Sequence, residues 1–130
     1  MTERLKVICS AIPKARLFAD VGCDHGYCAQ YALEKGLCAR AYITDVSAEC
    51  LKKAETLLRE EIRAGRCVPV CCNGLNGIPE RPDCVLIAGM GGEEIVKILS
   101  ASMPDTLLLQ PMKNAEKVRA HLLSRGCEIT

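Results

Sequence analysis

Tryptophan is absent from this 130-residue chain, and its aromatic residues are four: Phe18, Tyr27, Tyr31 and Tyr42. Few rings are therefore available for stacking against bases. Histidine is almost as scarce, with only His25 and His121, and no two cysteines form a C-x-x-C pair. That disfavours a structural zinc site, and no metal is expected. No stretch approaches the ~20 apolar residues of a membrane span. Met1–Pro13 carries Glu3, Arg4 and Lys6 and lacks the roughly 7–15-residue apolar run of a signal peptide. The expected compartment is the cytoplasm, with no membrane partner. An excess of one charge is missing too: 17 basic and 16 acidic side chains leave a net charge of +1. This excludes a protein basic throughout, though not a local basic patch.

What is present is ordinary for one globular domain spanning residues 1–130, with 49% apolar and 25% charged residues. A chain this long buries roughly two-thirds of its unfolded surface. Cysteine is the exception, at ten residues. Most fall inside apolar segments, where a reduced thiol packs as a small hydrophobe, so a disulfide scaffold is disfavoured.

Periodicity and punctuation predict a helix over 3–10, a strand over 16–21 ending in a glycine turn, and a helix over 27–35 closed by Gly36. A second strand over 41–46 leads to a helix capped by Ser47 and running past Ile62 to Gly65. A third strand over 67–72 is followed by a turn-rich loop over 73–82. A fourth strand over 83–88, a glycine turn over 89–92 and a helix over 93–100 come next. A fifth strand over 106–109, a helix over 115–124 and the start of a sixth strand at 127–130 complete the chain. Strands alternating with helices predict an α/β fold: a Rossmann-like, mostly parallel sheet with helices on both faces.

Ligands of such sheets bind at the carboxyl ends of the strands. After the first strand stands Asp20-Val21-Gly22-Cys23-Asp24-His25-Gly26-Tyr27, where Gly22 permits a tight turn and close approach of a ligand. Asp45 and Val46 follow the second strand, and Asp45 is 23 positions beyond Gly22, placed to accept hydrogen bonds from ribose hydroxyls. The two features indicate a cofactor containing adenosine or a related nucleoside. A dinucleotide site would use a second glycine where this chain has Asp24, and two carboxylates beside a pyrophosphate repel it. S-adenosyl-L-methionine carries a sulfonium and an ammonium instead, so Asp20 and Asp24 favour it over NAD. Asp24 as a plain helix cap is the alternative. After the third strand, Asn73-Gly74-Leu75 is either an adenine-edge contact or a simple Asn-Gly turn. After the fourth, Gly89-Met90-Gly91-Gly92 suggests backbone meeting a ligand.

Residues 19–27 (Ala-Asp-Val-Gly-Cys-Asp-His-Gly-Tyr) resemble the first motif of the bacterial tRNA (adenine(22)-N(1))-methyltransferase family. Residues 87–92 (Ile-Ala-Gly-Met-Gly-Gly) look like its second signature. Leu109-Gln110-Pro111 with Arg119 is similar to its third, and Arg4-Leu5 with Ile12-Pro13 to its N-terminal helix. The resemblance implies a class I methyltransferase domain that uses S-adenosyl-L-methionine and methylates N1 of an adenine in the D-arm region of tRNA. It implies cofactor contacts at Asp20, Gly22, Cys23, Asp45, Val46, Asn73, Gly74 and Gly89, and catalytic or base-positioning roles for Asp24 and His25. Tyr27, Met90, Gly91, Gly92, Gln110 and Pro111 would border the base pocket. Asn73 stands where relatives commonly have Asp, and Met112 where they often have Asn. The family is longer, so the chain is expected to lack the last strands and a helical C-terminal part.

Candidate tRNA contacts are Arg4, Lys6, Lys14, Arg16, Lys113, Lys117 and Arg119, each of which is otherwise a solvated surface charge. His25 is either a base or a turn-packing residue, and Tyr27 either a stacking ring or helix packing. A monomer is the default, with oligomeric state left open by the sequence. Competing readings are a non-catalytic nucleoside-binding module, an NAD-dependent oxidoreductase and a small-molecule methyltransferase.

Overall fold

Helices and strands alternate along the computed structural model, which describes residues 2–130. The order is α1 (Glu3–Ser10), β1 (Leu17–Val21), α2 (Tyr27–Glu34), β2 (Arg40–Asp45), α3 (Ala48–Leu57), α4 (Arg59–Arg63), β3 (Cys67–Cys71), β4 (Cys84–Met90), α5 (Gly92–Ala101), β5 (Thr106–Pro111) and α6 (Ala115–Ser124). The strands form one sheet in the order β3-β2-β1-β4-β5. Every pairing is parallel. A parallel sheet must be covered on both faces, which is why its central strands read as unbroken apolar runs.

Alternation along β1 feeds two cores. Phe18 joins Leu33, Leu58, Cys84 and Leu86 on the face covered by α1, α2 and α3. Leu17, Ala19 and Val21 join Val85, Ile87, Ile95, Leu99 and Val118 on the face covered by α5 and α6. Six of the ten cysteines (Cys9, Cys23, Cys28, Cys38, Cys67 and Cys84) are buried. Burial raises the Cys38 and Cys84 thiols to about 11 and Cys67 to about 12, so they stay protonated and pack as small apolar groups.

The structure departs from the sequence expectation at three places. The helix after Ser47 is broken at Leu58, whose φ of −100° and ψ of 21° separate α3 from α4. The break buries Leu58 completely and sets its side chain against Gly26. Strand β4 runs two residues past Ala88, through a bulge between Ala88 and Met90, because β5 continues to Pro111 and supplies a partner. The sixth strand is not formed: residues 127–130 carry no strand, the Cys127 N–H bonds to the Leu122 carbonyl at the end of α6, and Glu128–Thr130 are exposed. At the sheet rims, β3 carries Pro69 at its centre, whereas β5 offers Leu107, Leu108 and Leu109.

Gly92 closes the junction of α5 with the segment after β5. Its N–H donates to the Lys113 carbonyl at 2.8 Å, and a Cβ there would collide with the Asn114 carbonyl. Gly92→Ala is expected to cost about 1–3 kcal/mol, since the obstacle is backbone. An unchanged denaturation midpoint would disprove this account.

Candidate functional site

The carboxyl ends of β1, β2 and β4 converge on Gly22. Its φ of +68° is left-handed, and the N–H groups of Gly22 and Cys23 both donate to the Thr44 carbonyl at 2.8 and 2.9 Å. This locks the turn after β1 to the end of β2. A Cβ on Gly22 would come within 2.6 Å of the Met90 methyl, so the bare glycine makes room for a side chain from β4.

Asp24 follows with φ 51°, a conformation unusual for a residue with a side chain but tolerated by Asp. Its N–H donates to Asp45 Oδ2 at 3.3 Å, while Asp45 Oδ1 accepts from the Ser47 N–H at 2.9 Å. Asp45 therefore braces the first loop and still has lone pairs to offer a ligand. The Asp24 carboxylate is exposed, and its Oδ2 lies 3.2 Å from His25 Nδ1. The His25 ring stacks on Tyr27, with centroids 5.7 Å apart and an interplanar angle of 16°. Tyr27 is thus an exposed partner of His25 rather than buried helix packing.

Asp20 is different. It is buried beneath the loop, and its Oδ2 has no hydrogen-bond partner among the described residues. Burial raises its carboxyl to about 7, the neighbouring charges of Asp45 and Asp24 push the same way, and the Ala29 N–H opposes them. An unpaired buried carboxylate is costly unless a cation reaches it.

Two cavities flank this centre. One, of about 710 Å³, is lined by Arg4, Asp20, Asp24, His25, Tyr27, Gly89 and Met90 among others, with Cys23 also at its edge. The other, of about 610 Å³, is lined by Asp45, Val46, Asn73, Gly74, Leu75 and Ile98 among others. Gly22, Asp45 and Met90 border both, so Met90 stands at the partition. Both volumes fall in the range of small-molecule sites, roughly 300–1,000 Å³.

Several side chains sit where spacing alone did not show. Cys23 turns into the core and is 7% exposed, and burial drives its thiol far up. Gly74 is buried and its carbonyl accepts from the Thr44 hydroxyl at 3.1 Å; a Cβ there would press on Ile98. Gly91, Gly92 and Pro111 line neither cavity. Gly92 serves packing against the segment after β5, and Pro111 pairs with Met90 in the sheet. Gln110 also lines neither cavity, but it braces two residues that do: its Oε1 accepts from Arg4 Nη1 at 2.7 Å and from the Gly89 N–H at 3.3 Å. Thr44 and Ile98 were missed, since neither belongs to a motif.

Among the basic candidates, Lys6 pairs with Glu3, Lys117 with Glu93 and Arg16 approaches Asp83. Arg4, Lys14, Lys113 and Arg119 have no carboxylate within 4 Å among the described residues.

A five-stranded parallel sheet covered by helices on both faces, with a glycine turn after β1 and a carboxylate ending β2, defines a Rossmann-like protein of the methyltransferase kind. The methyltransferase domain family matches residues 1–130, and the chain belongs to that family. It is 28% identical over its full length to a Mycoplasma pneumoniae protein provisionally named a tRNA methyltransferase, and covers 63% of it. It is 27% identical over 94% of its length to the tRNA (adenine(22)-N(1))-methyltransferase of Bacillus subtilis, and covers 54% of that protein. The crystal structure of the Bacillus subtilis tRNA methyltransferase TrmK superposes with a TM-score of 0.84 at 27% identity, over 96% of this chain and 56% of that one. A Streptococcus pneumoniae protein crystallised with S-adenosyl-L-methionine gives 0.86 at 26% identity, over 97% of this chain and 62% of that one. The chain thus spans between about half and two-thirds of the length of these relatives.

Proposed function

We propose that the chain is the cofactor-binding and catalytic domain of an S-adenosyl-L-methionine-dependent methyltransferase acting on N1 of an adenine at position 22, in the D-arm region of tRNA. The observation that carries this reading is Asp20: a buried residue with an unpartnered carboxylate oxygen, lining a cavity together with Asp24 and Asp45. Such a centre suits a cation and repels a pyrophosphate, which weighs against a nicotinamide dinucleotide.

S-adenosyl-L-methionine supplies an activated methyl group on a sulfonium. Asp20 would hold the cationic end of its amino-acid part. Asp45 would accept from ribose hydroxyls with the lone pairs left over from the Ser47 and Asp24 amides. Val46, Asn73 and Gly74 would border the adenine, and Gly22, Cys23 and Gly89 would meet the ligand through backbone. Asp24 would accept a hydrogen bond from the 6-amino group of the target adenine and stabilise positive charge developing on its ring. His25 holds Asp24 in place and, with Tyr27, presents the ring surface beside which an extruded base can lie. Met90 would stand between cofactor and base, and Gln110 would hold Arg4 and Gly89 in place.

The reading is tested by incubating the chain with isotopically labelled S-adenosyl-L-methionine and unmodified tRNA. Label in 1-methyladenosine at position 22, and its absence when free adenosine replaces tRNA, is the expected result. Label in neither, with the cofactor bound, would leave a nucleoside-binding module.

A further inference from the structure

The backbone at Gly89-Met90-Gly91 has a basic side chain beside each outer glycine: the Arg4 guanidinium at Gly89, and the stem of Lys113 at Gly91. A Cβ on Gly89 would lie 3.8 Å from Arg4 Nη1, and a Cβ on Gly91 would lie 3.4 Å from Lys113 Cε. Arg4 comes from α1 and Lys113 from the segment after β5, so three distant parts of the sequence meet on one short ridge. Neither cation has a carboxylate partner within 4 Å among the described residues, although Glu94 reaches the neighbourhood of Gly91. Arg4 spends one N–H on the neutral Gln110 amide, which orients the guanidinium without discharging it. Between the two cations Met90 descends to the partition of the cavities.

We propose that Arg4 and Lys113 clasp the phosphates on either side of the target nucleotide, so that the site takes its base only from within a polynucleotide. This rests on the reading of the larger cavity as the base pocket. The charge pattern argues for it: Arg4 apart, the cavity is lined by the carboxylates of Asp20, Asp24 and Asp45, which would repel a phosphate entering it. A nucleotide can therefore insert its neutral base only if its phosphates stay outside, and the ridge is where unpaired positive charge awaits them. Arg presents a planar fork suited to phosphate oxygens, and Lys a flexible point charge.

The test measures binding of fluorescein-labelled tRNA to the chain against salt, with S-adenosyl-L-methionine affinity measured in parallel. Removing one phosphate-binding cation lowers the slope of log affinity against log salt by about 0.7–0.9. Arg4→Gln with Lys113→Gln is expected to flatten the slope by about 1.4–1.8. Lys113→Gln alone, which disturbs no hydrogen bond of the Arg4–Gln110 pair, is expected to give about half of that and to leave cofactor affinity unchanged. Lys53→Gln on α3 is the comparison. A slope unchanged by the double variant, or lowered as much by Lys53→Gln, overturns the proposal. So does a wild-type chain that binds the cofactor and no tRNA. Failure to bind the cofactor at all overturns instead the reading beneath it.

Discussion

Asp20→Asn is expected to make the protein more stable and less able to bind its cofactor. An aspartate in the unfolded chain titrates near 3.8, and Asp20 in the folded protein near 7 because it is buried. The folded state therefore holds the proton more tightly. Stability falls as pH rises from about 4 to about 7 and stays at the lower level above that. The full difference corresponds to about 4 kcal/mol, an upper bound. Asparagine cannot ionise, so the variant escapes this loss. The melting temperature should rise by about 5–15 °C at pH 8 and much less at pH 4. Affinity for S-adenosyl-L-methionine should fall by about tenfold or more, since the amide offers no charge to an ammonium. Equal shifts in melting temperature at both pH values would show that Asp20 is not the group responsible. A variant that is stabilised and still binds tightly would remove Asp20 from the cofactor site.

Asp24→Asn should produce the opposite division. The carboxylate is exposed, so removing its charge frees no burial cost. Asparagine also tolerates the left-handed backbone at this position, where alanine would add strain. The fold and cofactor binding should hold. Transfer should slow by about 10²–10³-fold, the usual effect of deleting one preorganised electrostatic partner of the reacting group. The measurement is a single-turnover rate with cofactor saturating. Equal rates for variant and wild type would refute a role for Asp24 in the chemical step.

These two aspartates stand four positions apart, and the sequence shows both without showing how differently they are placed. Strand and helix alternation was legible because buried parallel strands leave unbroken apolar runs, as in residues 84–87. The meeting of the first loop with Asp45 was legible because one crossover connection fixes that distance. The break at Leu58 was not, because the apolar stripe continues through Ile62 and only tertiary packing against Gly26 selects the kink. Nor was the role of Gly92, since a glycine demanded by a ligand and one demanded by a neighbouring carbonyl look alike in a sequence. Nor was the outcome at residues 127–130 legible, since the Cys127 N–H turns back to the Leu122 carbonyl at the end of α6. Met90 is the clearest case: its motif was visible, but a side chain bordering two cavities is a relation between strands β1 and β4.

The two rims of the sheet are not equivalent. Along β3 the central Pro69 has no N–H, so a strand laid there would lose its middle donor. Along β5, Thr106 to Gln110 form an uncharged run with every N–H present and three half-buried leucines. The sheet is therefore polar in the sense of a growing crystal, terminated on one side and able to accept a further strand on the other. Whatever strand joins it, from this polypeptide or another, finds its donors free along β5, beside the residue, Gln110, that braces Arg4 and Gly89.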